Sequence, residues 1–243
     1  MLNGGPRWDP RVRPVKSALV IEHDEYGPAG QVGERLVERG YRLDVFRVLD
    51  DPSDPVCTKR YPDATSYDAL LVTGSPWSVT DTDTIGSWIG QEIEMVRAAH
   101  EAGVGVLGMC FGGQVLSAAL GGEVSRSNQP EFGWTEVETD LPDAVASGPW
   151  FQWHYDRFTV PHGATEVARN AVGPQVFRIG RSVGTQFHPE ITPRLARLWI
   201  GMDRAELEAH DVDPDRMAAE SEGRAADNRG DSYALVDWFL DGS

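Results

Sequence analysis

Short apolar runs alternate with amphipathic stretches along the first half of the chain. Residues 17–21 and 67–72 have the length and composition of buried strands, and residues 41–49 alternate as a further strand. In residues 84–102 the apolar side chains recur at helical spacing, which predicts an amphipathic helix. The apolar run 104–107 predicts another strand. Strands and helices in this alternation predict a parallel sheet with helices on both faces.

The second half of the chain has a different pattern of apolar and polar residues. Four alternating runs predict shorter strands, some of them antiparallel, that extend the sheet: residues 134–138, 151–154, 175–179 and 182–187. Residues 193–241 return to helix. We therefore predict an α/β fold with a mostly parallel central sheet, helices on both faces and a smaller antiparallel extension.

Composition and charge narrow the setting. The chain has 243 residues, 40% of them hydrophobic, and we expect an N-terminal tail at residues 1–16 and a single domain at 17–243. The formal net charge of −16 argues against a nucleic-acid partner. The start of the chain lacks the apolar core of a signal peptide, and the glycine-rich stretch 103–122 is a poor membrane span. With only two cysteines and no disulfide scaffold, we expect a cytoplasmic protein without nucleic-acid or membrane contacts.

Cys110 stands between a predicted strand and a predicted helix, in the sequence Gly-Met-Cys-Phe-Gly. Gly-x-Cys-x-Gly is the cysteine counterpart of the Gly-x-Ser-x-Gly elbow, in which glycines allow a tight turn and the nucleophile points out at the top of the sheet. The partial positive charge of a helix N-terminus favours the thiolate. The pattern predicts a nucleophile that forms a thioester with an acyl or amide substrate. The alternative is a small apolar residue in a buried turn, since free cysteines are often buried.

A cysteine nucleophile needs a histidine base and a group that orients it. Among six histidines, only His188 has a carboxylate beside it on an extended segment, in Gln-Phe-His-Pro-Glu. Residues i and i+2 of an extended chain share a face, and Pro189 keeps His188 out of the helical region. A single histidine near a strand end is more often structural, but the Cys110 elbow changes this balance. The two motifs together predict His188 as the base and Glu190 as its orienting partner.

These motifs resemble the class I, or triad, glutamine amidotransferase family, and more narrowly its GMP synthase-like stand-alone glutaminase members. The resemblance covers most of residues 17–240. Three further segments are similar to segments of the family. They are Thr73-Gly74-Ser75-Pro76, similar to its oxyanion loop, Glu131-Phe132-Gly133-Trp134, similar to a segment that helps to hold glutamine, and His154-Tyr155-Asp156, similar to a His-Gly-Asp sequence. The resemblance implies a flavodoxin-like version of the α/β fold.

The resemblance also implies a reaction, the hydrolysis of the glutamine side-chain amide to glutamate and ammonia. Cys110 attacks the amide, and His188, oriented by Glu190, donates and accepts the protons. Backbone N–H groups near Gly74 and of Phe111 stabilise the oxyanion. The residues expected to contact the substrate are Ser75, Gln114, Glu131, Phe132 and Gly133. For Gln114, an ordinary packing amide is an equally good interpretation.

Two positions depart from the family's pattern. Gly113 stands where the elbow more commonly has His or Met, and we expect a local packing change with intact chemistry. Ser75 replaces the second glycine of the oxyanion loop, which a backbone donor tolerates if the φ angle of Ser75 is not left-handed. His154 and Asp156 either close a loop or contact a partner or substrate, and the structural interpretation is favoured.

Three functions are compatible with the sequence. The first is a glutaminase that delivers ammonia to a separate synthetase. The second is a self-sufficient γ-glutamyl hydrolase that acts on a γ-glutamyl amine, hydrazide or peptide. The third is a non-catalytic binding module. No phosphate-binding loop of the Walker type occurs, and we expect neither a metal nor a cofactor.

Overall fold

The computed structural model describes residues 15–242, so the predicted tail at residues 1–16 lies almost wholly outside the described residues. The strands are β1 (Lys16–Glu22), β2 (Tyr41–Arg47), β3 (Ala69–Val72), β4 (Gly105–Met109), β5 (Val124–Thr135), β6 (Glu138–Thr139), β7 (Trp150–Phe158), β8 (Thr165–Arg169), β9 (Pro174–Ile179) and β10 (Ser182–Thr185). The helices are α1 (Gly30–Glu38), α2 (Thr82–Ile85), α3 (Ile89–Glu101), α4 (Phe111–Ala119), α5 (Pro193–Met202), α6 (Arg204–Ala209), α7 (Pro214–Gly223) and α8 (Ala225–Asp241).

Eight strands form one central sheet in the order β2-β1-β3-β4-β10-β9-β8-β6. The first five of these strands pair in parallel. β9, β8 and β6 then add to the sheet in antiparallel pairing. The prediction of a mostly parallel sheet with an antiparallel extension is therefore confirmed.

Helices cover both faces of the sheet, as the sequence predicts. Leu70 and Val72 of β3 belong to the apolar core that α3 and α4 cover. Ala69 and Leu71, which alternate with them, belong to the opposite core, beneath α1 and α8. Because successive side chains of a strand point to opposite faces, a continuous apolar run is buried on both sides.

One of the runs predicted to extend the central sheet does not join it, and another joins it only at its last residue. Residues 151–154 lie in β7 and residues 134–135 lie in β5, and these two strands pair with each other in a separate two-stranded antiparallel sheet. Glu138, the last residue of the run 134–138, begins β6 at the edge of the central sheet. Phe151 of β7 is buried in a third apolar cluster with residues of α5, α6 and α7, and Trp134 of β5 packs against it. An alternating pattern shows that one face of a strand is buried, but it does not show which surface buries that face.

The predicted helices are also divided more finely than the hydrophobic pattern indicates. The stretch 84–102 is interrupted before Ile89, because Trp88 leaves the helical conformation and its buried indole donates to the Pro55 carbonyl at 2.9 Å. The stretch 193–241 forms four helices, and α7 starts with Pro214 behind an Asp213 cap. Within residues 15–242, no helix is both long and apolar enough to cross a membrane.

Candidate active site

Three loops converge at the carboxyl edge of the parallel strands. Gly74 follows β3, Cys110 follows β4, and residues 186–190 follow β10. β3, β4 and β10 are neighbours in the sheet, and parallel strands end at a common edge. The order of the strands therefore brings together three segments that are far apart in the sequence.

Cys110 occupies the sharp turn between β4 and α4. Its φ angle is 52°, a left-handed conformation that costs a non-glycine residue about 1–3 kcal/mol. Its N–H donates to the Thr185 carbonyl at 2.9 Å, and its carbonyl accepts from the Gln114 N–H at 3.0 Å. The surrounding strands and helix thus hold the turn, and the side chain is 4% exposed at the N-terminus of α4.

His188 and Glu190 form a buried pair. The Nδ1 atom of His188 lies 2.7 Å from Oε1 of Glu190, and it donates because a carboxylate only accepts. Burial lowers the pKa of His188, but the charges of Cys110 and Glu190 outweigh burial and hold this pKa well above its ordinary value. The Nε2 atom of the ring faces away from Glu190 and is the atom available for proton transfer.

The backbone carbonyl of Trp153 is a common neighbour of the thiol and the imidazole. Its oxygen lies 3.8 Å from Sγ of Cys110 and 3.5 Å from Nε2 of His188. The side-chain amide of Gln186 approaches the same sulfur at 3.8 Å. The sequence assigns no role to Trp153, because a backbone group has no signature in the residue pattern, whereas Gln186 opens the histidine motif.

The Gly74 loop passes directly over this pair. A Cβ atom at Gly74 would lie 3.0 Å from Cε1 of His188 and 4.0 Å from Cβ of Cys110. Among residues 15–242, the non-glycine residues with positive φ are Cys110 and Asp211, so Ser75 is not left-handed. The conformational condition for serine in place of glycine is therefore met.

A polar cleft opens over Cys110. Its lining includes Ser75, Gln114, Arg126, Tyr155, Asp156 and Glu206. The Arg126 guanidinium lies over the Tyr155 ring at 4.1 Å and 3.9 Å from Oδ1 of Asp156. The Tyr155 hydroxyl donates to Glu206. Asp203 lines the cleft as well, so it offers one cation and three carboxylates, a combination that suits a zwitterionic amino acid.

Gln114 and His154 line this cleft but are also engaged in the protein interior. The amide nitrogen of Gln114 donates to the Asp156 carbonyl at 3.2 Å and to Gln186 at 3.4 Å. The Nδ1 atom of His154 lies 2.9 Å from the Asp156 carbonyl, and its Nε2 atom lies 3.1 Å from the Glu131 carboxylate. These contacts tie α4 and the β5–β7 pair together, which favours the packing interpretation of both side chains.

Glu131, Phe132 and Gly133 lie along β5 and are not among the residues that line the cleft over Cys110. The Glu131 carboxylate accepts from Asn170 at 2.7 Å and from Gln175 at 3.1 Å, in addition to His154. Glu131 and Phe132 line a separate cleft. The structure thus groups Glu131 with His154, and contact of these three β5 residues with a substrate stays a prediction.

A second cleft of about 250 Å³ borders His188 and shares Ser75, Pro76 and Trp153 with the first. Its walls include Tyr26, Trp153, Trp199 and Met202. The Trp199 indole donates to the Tyr26 carbonyl at 2.8 Å and packs edge-on against the His188 ring, with centroids 4.9 Å apart. This aromatic cleft was not predicted, because Tyr26, Trp199 and Met202 come from segments without a motif.

Residues 30–200 match the family described as glutamine amidotransferase class-I, a stretch that includes both the cysteine elbow and the His188 segment. The chain belongs to this family. The expectation drawn from the sequence motifs is confirmed at the level of the family.

Curated relatives include two forms of GMP synthase. The glutamine-hydrolyzing GMP synthase of Aeropyrum pernix is 35% identical over 147 residues, which cover 53% of this chain and 27% of that protein. A shorter relative, a glutamine-hydrolyzing GMP synthase subunit of Sulfurisphaera tokodaii, is 28% identical over 173 residues, which cover 67% of this chain and 85% of that subunit. The matched part of the chain thus spans about a quarter of the length of the Aeropyrum protein and most of the length of the Sulfurisphaera subunit.

Solved structures of similar fold extend over nearly the whole chain. A glutamine amidotransferase from Thermotoga maritima has a TM-score of 0.81 at 24% identity and covers 94% of this chain and 100% of its own. A glutamine amidotransferase from Methylobacillus flagellatus has a TM-score of 0.80 at 24% identity, over 94% of this chain and 96% of its own. The fold is that of the class I glutamine amidotransferases.

Proposed function

We propose that this chain hydrolyses the side-chain amide of glutamine through a γ-glutamyl thioester on Cys110, giving glutamate and ammonia. The observation that carries the proposal is the meeting of Cys110 and His188 at the Trp153 carbonyl, with Glu190 bound to the far side of the imidazole. A nucleophile, a base and an orienting carboxylate in this order are the parts of a cysteine triad.

The proton positions follow from the hydrogen bonds. The Cys110 thiolate adds to the amide carbon, and the protonated His188 gives its Nε2 proton to the nitrogen as the C–N bond breaks and ammonia leaves. The neutral His188 then takes a proton from water, and the hydroxide adds to the thioester carbon. The C–S bond breaks, which frees glutamate and returns the thiolate. Glu190 accepts the Nδ1–H bond throughout and keeps Nε2 directed at the reacting atoms.

Two backbone N–H groups are suited to stabilise the oxyanion. The Gly74 loop and the first residue of α4, Phe111, flank the thiol, and the first N–H groups of a helix have no partner within it. A preorganised donor of this kind contributes about 3–4 kcal/mol to the transition state. In the cleft above, Arg126 is positioned for the α-carboxylate of the substrate, and Asp156 or Glu206 for its ammonium group.

We further propose that the ammonia passes to a synthetase on another chain, as the name of the Sulfurisphaera relative suggests for that protein. The region similar to these relatives contains the thiol, the base and the oxyanion loop, all of which act on the amide and none on an acceptor.

One specific observation favours a second candidate, a γ-glutamyl hydrolase that acts on a larger amide. His188 borders the aromatic cleft, and His188 is the group that protonates the departing nitrogen. A cleft of about 250 Å³ beside that nitrogen has room for an amine much larger than ammonia. Asp24 and Asp203 also line it, and they favour a leaving group that carries a positive charge.

The deciding experiment measures glutamate release from glutamine and from a series of γ-glutamyl amides with alkyl, aromatic and aminoalkyl groups. We expect Cys110→Ala to abolish release from every substrate. The matched control is Cys57→Ala, which removes the other buried cysteine and should retain activity. Turnover of glutamine that rises when a synthetase is added supports the first function, and faster turnover of a larger amide without a partner supports the second. Absence of both turnover and covalent labelling of Cys110 by a glutamine-like electrophile contradicts both and leaves a binding module.

A further inference from the structure

Beneath the Gly74 loop lies a histidine for which the proposed mechanism has no role. His23 follows directly after β1 and is fully buried, between the rings of Phe111 and Trp88. Its Nδ1 atom lies 2.9 Å from the Gly74 carbonyl oxygen. Its Nε2 atom lies 3.1 Å from Oε1 of Glu92 on α3. The ring therefore bridges the oxyanion loop and a buried carboxylate.

Both partners of His23 are acceptors, which fixes its protonation. A carbonyl and a carboxylate offer no proton, so each ring nitrogen must donate one. Burial lowers the pKa of His23, but the charge and hydrogen bond of Glu92 outweigh it, and the Gly74 carbonyl and Asp24 add to the increase, so the net pKa is raised. The Tyr61 hydroxyl donates to the second oxygen of Glu92 at 2.8 Å and completes the pairing of this carboxylate.

The bond to Gly74 determines how the next N–H group points. In a trans peptide the C=O and the following N–H point in opposite directions. The Gly74 carbonyl points down to His23, so the N–H of Ser75 points up, toward the clefts that Ser75 lines over Cys110 and beside His188. If the same peptide rotated, the carbonyl oxygen would face the thiol and would repel an oxyanion.

We propose that His23 is a positioning residue that holds the Gly74–Ser75 peptide with its N–H in the oxyanion hole before any substrate or partner binds. This proposal rests on the function proposed above. A cation on the carbonyl also polarises the peptide and strengthens its N–H as a donor. The resting chain then needs no partner to rotate the loop, and basal hydrolysis is a property of the chain itself.

The test separates this role from a merely structural one. His23→Leu removes the donor, whereas His23→Asn keeps an amide N–H near the Nδ1 position. We expect kcat for the substrate preferred in the preceding assay to fall about 10²–10³-fold in His23→Leu, the effect of losing one oxyanion donor, with KM changed less than about threefold. His23→Asn should recover most of kcat. Alkylation of Cys110 by iodoacetamide should keep its wild-type rate in both variants, because alkylation forms no oxyanion.

His100→Leu is the matched control, because His100 is a partly buried histidine whose Nδ1 atom lies 2.9 Å from the Ser182 hydroxyl, at the other end of the sheet. This variant should keep kcat. If His23→Leu does not fold, His23→Gln replaces it, since its longer amide lies near the Nε2 position and should not recover kcat. An active His23→Leu, or equal activity in His23→Asn and His23→Gln, would overturn the inference.

A readout without substrate distinguishes failure of this inference from failure of the proposed function. The carbonyl ¹³C resonance of Gly74 reports its hydrogen bond, and we expect it to move upfield in His23→Leu relative to wild type. An unchanged Gly74 resonance overturns the positioning role even in an inactive chain. A shifted resonance in a chain that hydrolyses no γ-glutamyl amide supports the contact and contradicts only the proposed function.

Discussion

At the scale of single residues, the site contains a histidine, His188, whose pKa is raised by two charged neighbours. Glu190 is two positions away in the sequence, and Cys110 reaches the ring only through the fold. Burial alone lowers the pKa of His188, and these two neighbours reverse the effect. In the mechanism proposed above, the protonated His188 donates from Nε2 to the leaving nitrogen after the nucleophile adds.

We predict that Glu190→Gln lowers the pKa of His188, because glutamine keeps the size of the side chain and removes its charge. A histidine whose pKa is raised in the folded state stabilises the fold at low pH, and this contribution is lost as the pH rises through the folded pKa. The stability lost in Glu190→Gln should therefore be greatest below the unfolded pKa of ~6.5 and shrink as the pH rises through the folded pKa. An NMR titration of the His188 ring and denaturant unfolding over this range measure both effects.

Glu94→Gln is the control for this prediction, because Glu94 is an exposed carboxylate on α3. It should leave the titration of His188 unchanged. A Glu190→Gln variant in which His188 titrates as in wild type would contradict the role of the carboxylate.

At the scale of elements, α4 packs close to the strands that carry the site. A Cβ atom at Gly113 would lie 2.3 Å from the Thr185 carbonyl oxygen at the end of β10. Real Cβ atoms do not approach so closely, so the His or Met that is common in the family's elbow does not fit this backbone. Gly113 therefore allows α4 to contact the end of β10, and the packing change relative to the family stays a prediction.

We predict that Gly113→Ala destabilises the protein by about 1–3 kcal/mol, the usual cost of overpacking. At an exposed helix position, the same substitution should change the free energy of unfolding in the opposite direction. Gly230 lies within α8 with nothing within 4 Å of its Cβ position, and Gly230→Ala should stabilise by about 0.4–1 kcal/mol. Denaturant unfolding of both variants tests the pair. Equal effects in the two helices would show that α4 can shift freely on the sheet.

The elements themselves were predicted to different degrees. The parallel strands were predicted well, since a short apolar run that is buried on both faces is specific for a central strand. The break before Ile89 was not predicted, because it depends on an indole hydrogen bond to Pro55, more than thirty residues earlier. The separate pairing of β5 with β7 was also missed, since alternation is the same in either sheet.

At the scale of the whole molecule, ion pairs join the helices near the two ends of the described chain. Asp237 of α8 accepts from Arg35 of α1 at 2.9 and 2.6 Å and from Arg39 at 2.6 Å. The hydrogen bond from Arg35, followed by that from Arg39, lowers the pKa of Asp237 against the effect of burial. The pairing therefore fastens α1 and α8 together over the same face of the sheet.

We predict that Asp237→Asn lowers the free energy of unfolding by about 1 kcal/mol at neutral pH, the scale of partly exposed ion pairs. A carboxylate with a lowered folded-state pKa stabilises the fold above its unfolded pKa, and this contribution is lost as the pH falls through the folded value. The difference from wild type should therefore shrink as the pH falls below the unfolded pKa of ~3.9 and vanish only below the folded pKa. Asp241→Asn, at the more exposed partner of Arg39, should have the smaller effect in the same unfolding series.

The sequence by itself determined the fold class, the family and the identity of the candidate triad. These depend on local information: apolar runs of strand length, a cysteine between strand and helix, and His188 and Glu190 two positions apart on an extended segment. Such patterns are readable because the residues that carry them are neighbours along the chain or repeat at a fixed period.

Only the tertiary structure decided what surrounds the triad. The Trp153 carbonyl, the aromatic cleft beside His188 and the contact of His23 with Gly74 each join segments that are distant in sequence, and two of the three use backbone atoms. A backbone carbonyl is the same in every residue, so the pattern of side chains does not predict which carbonyl takes part in the site. The sheet order and the packing of β7 and α3 against the loops fix these contacts, and that arrangement exists only once the chain is folded.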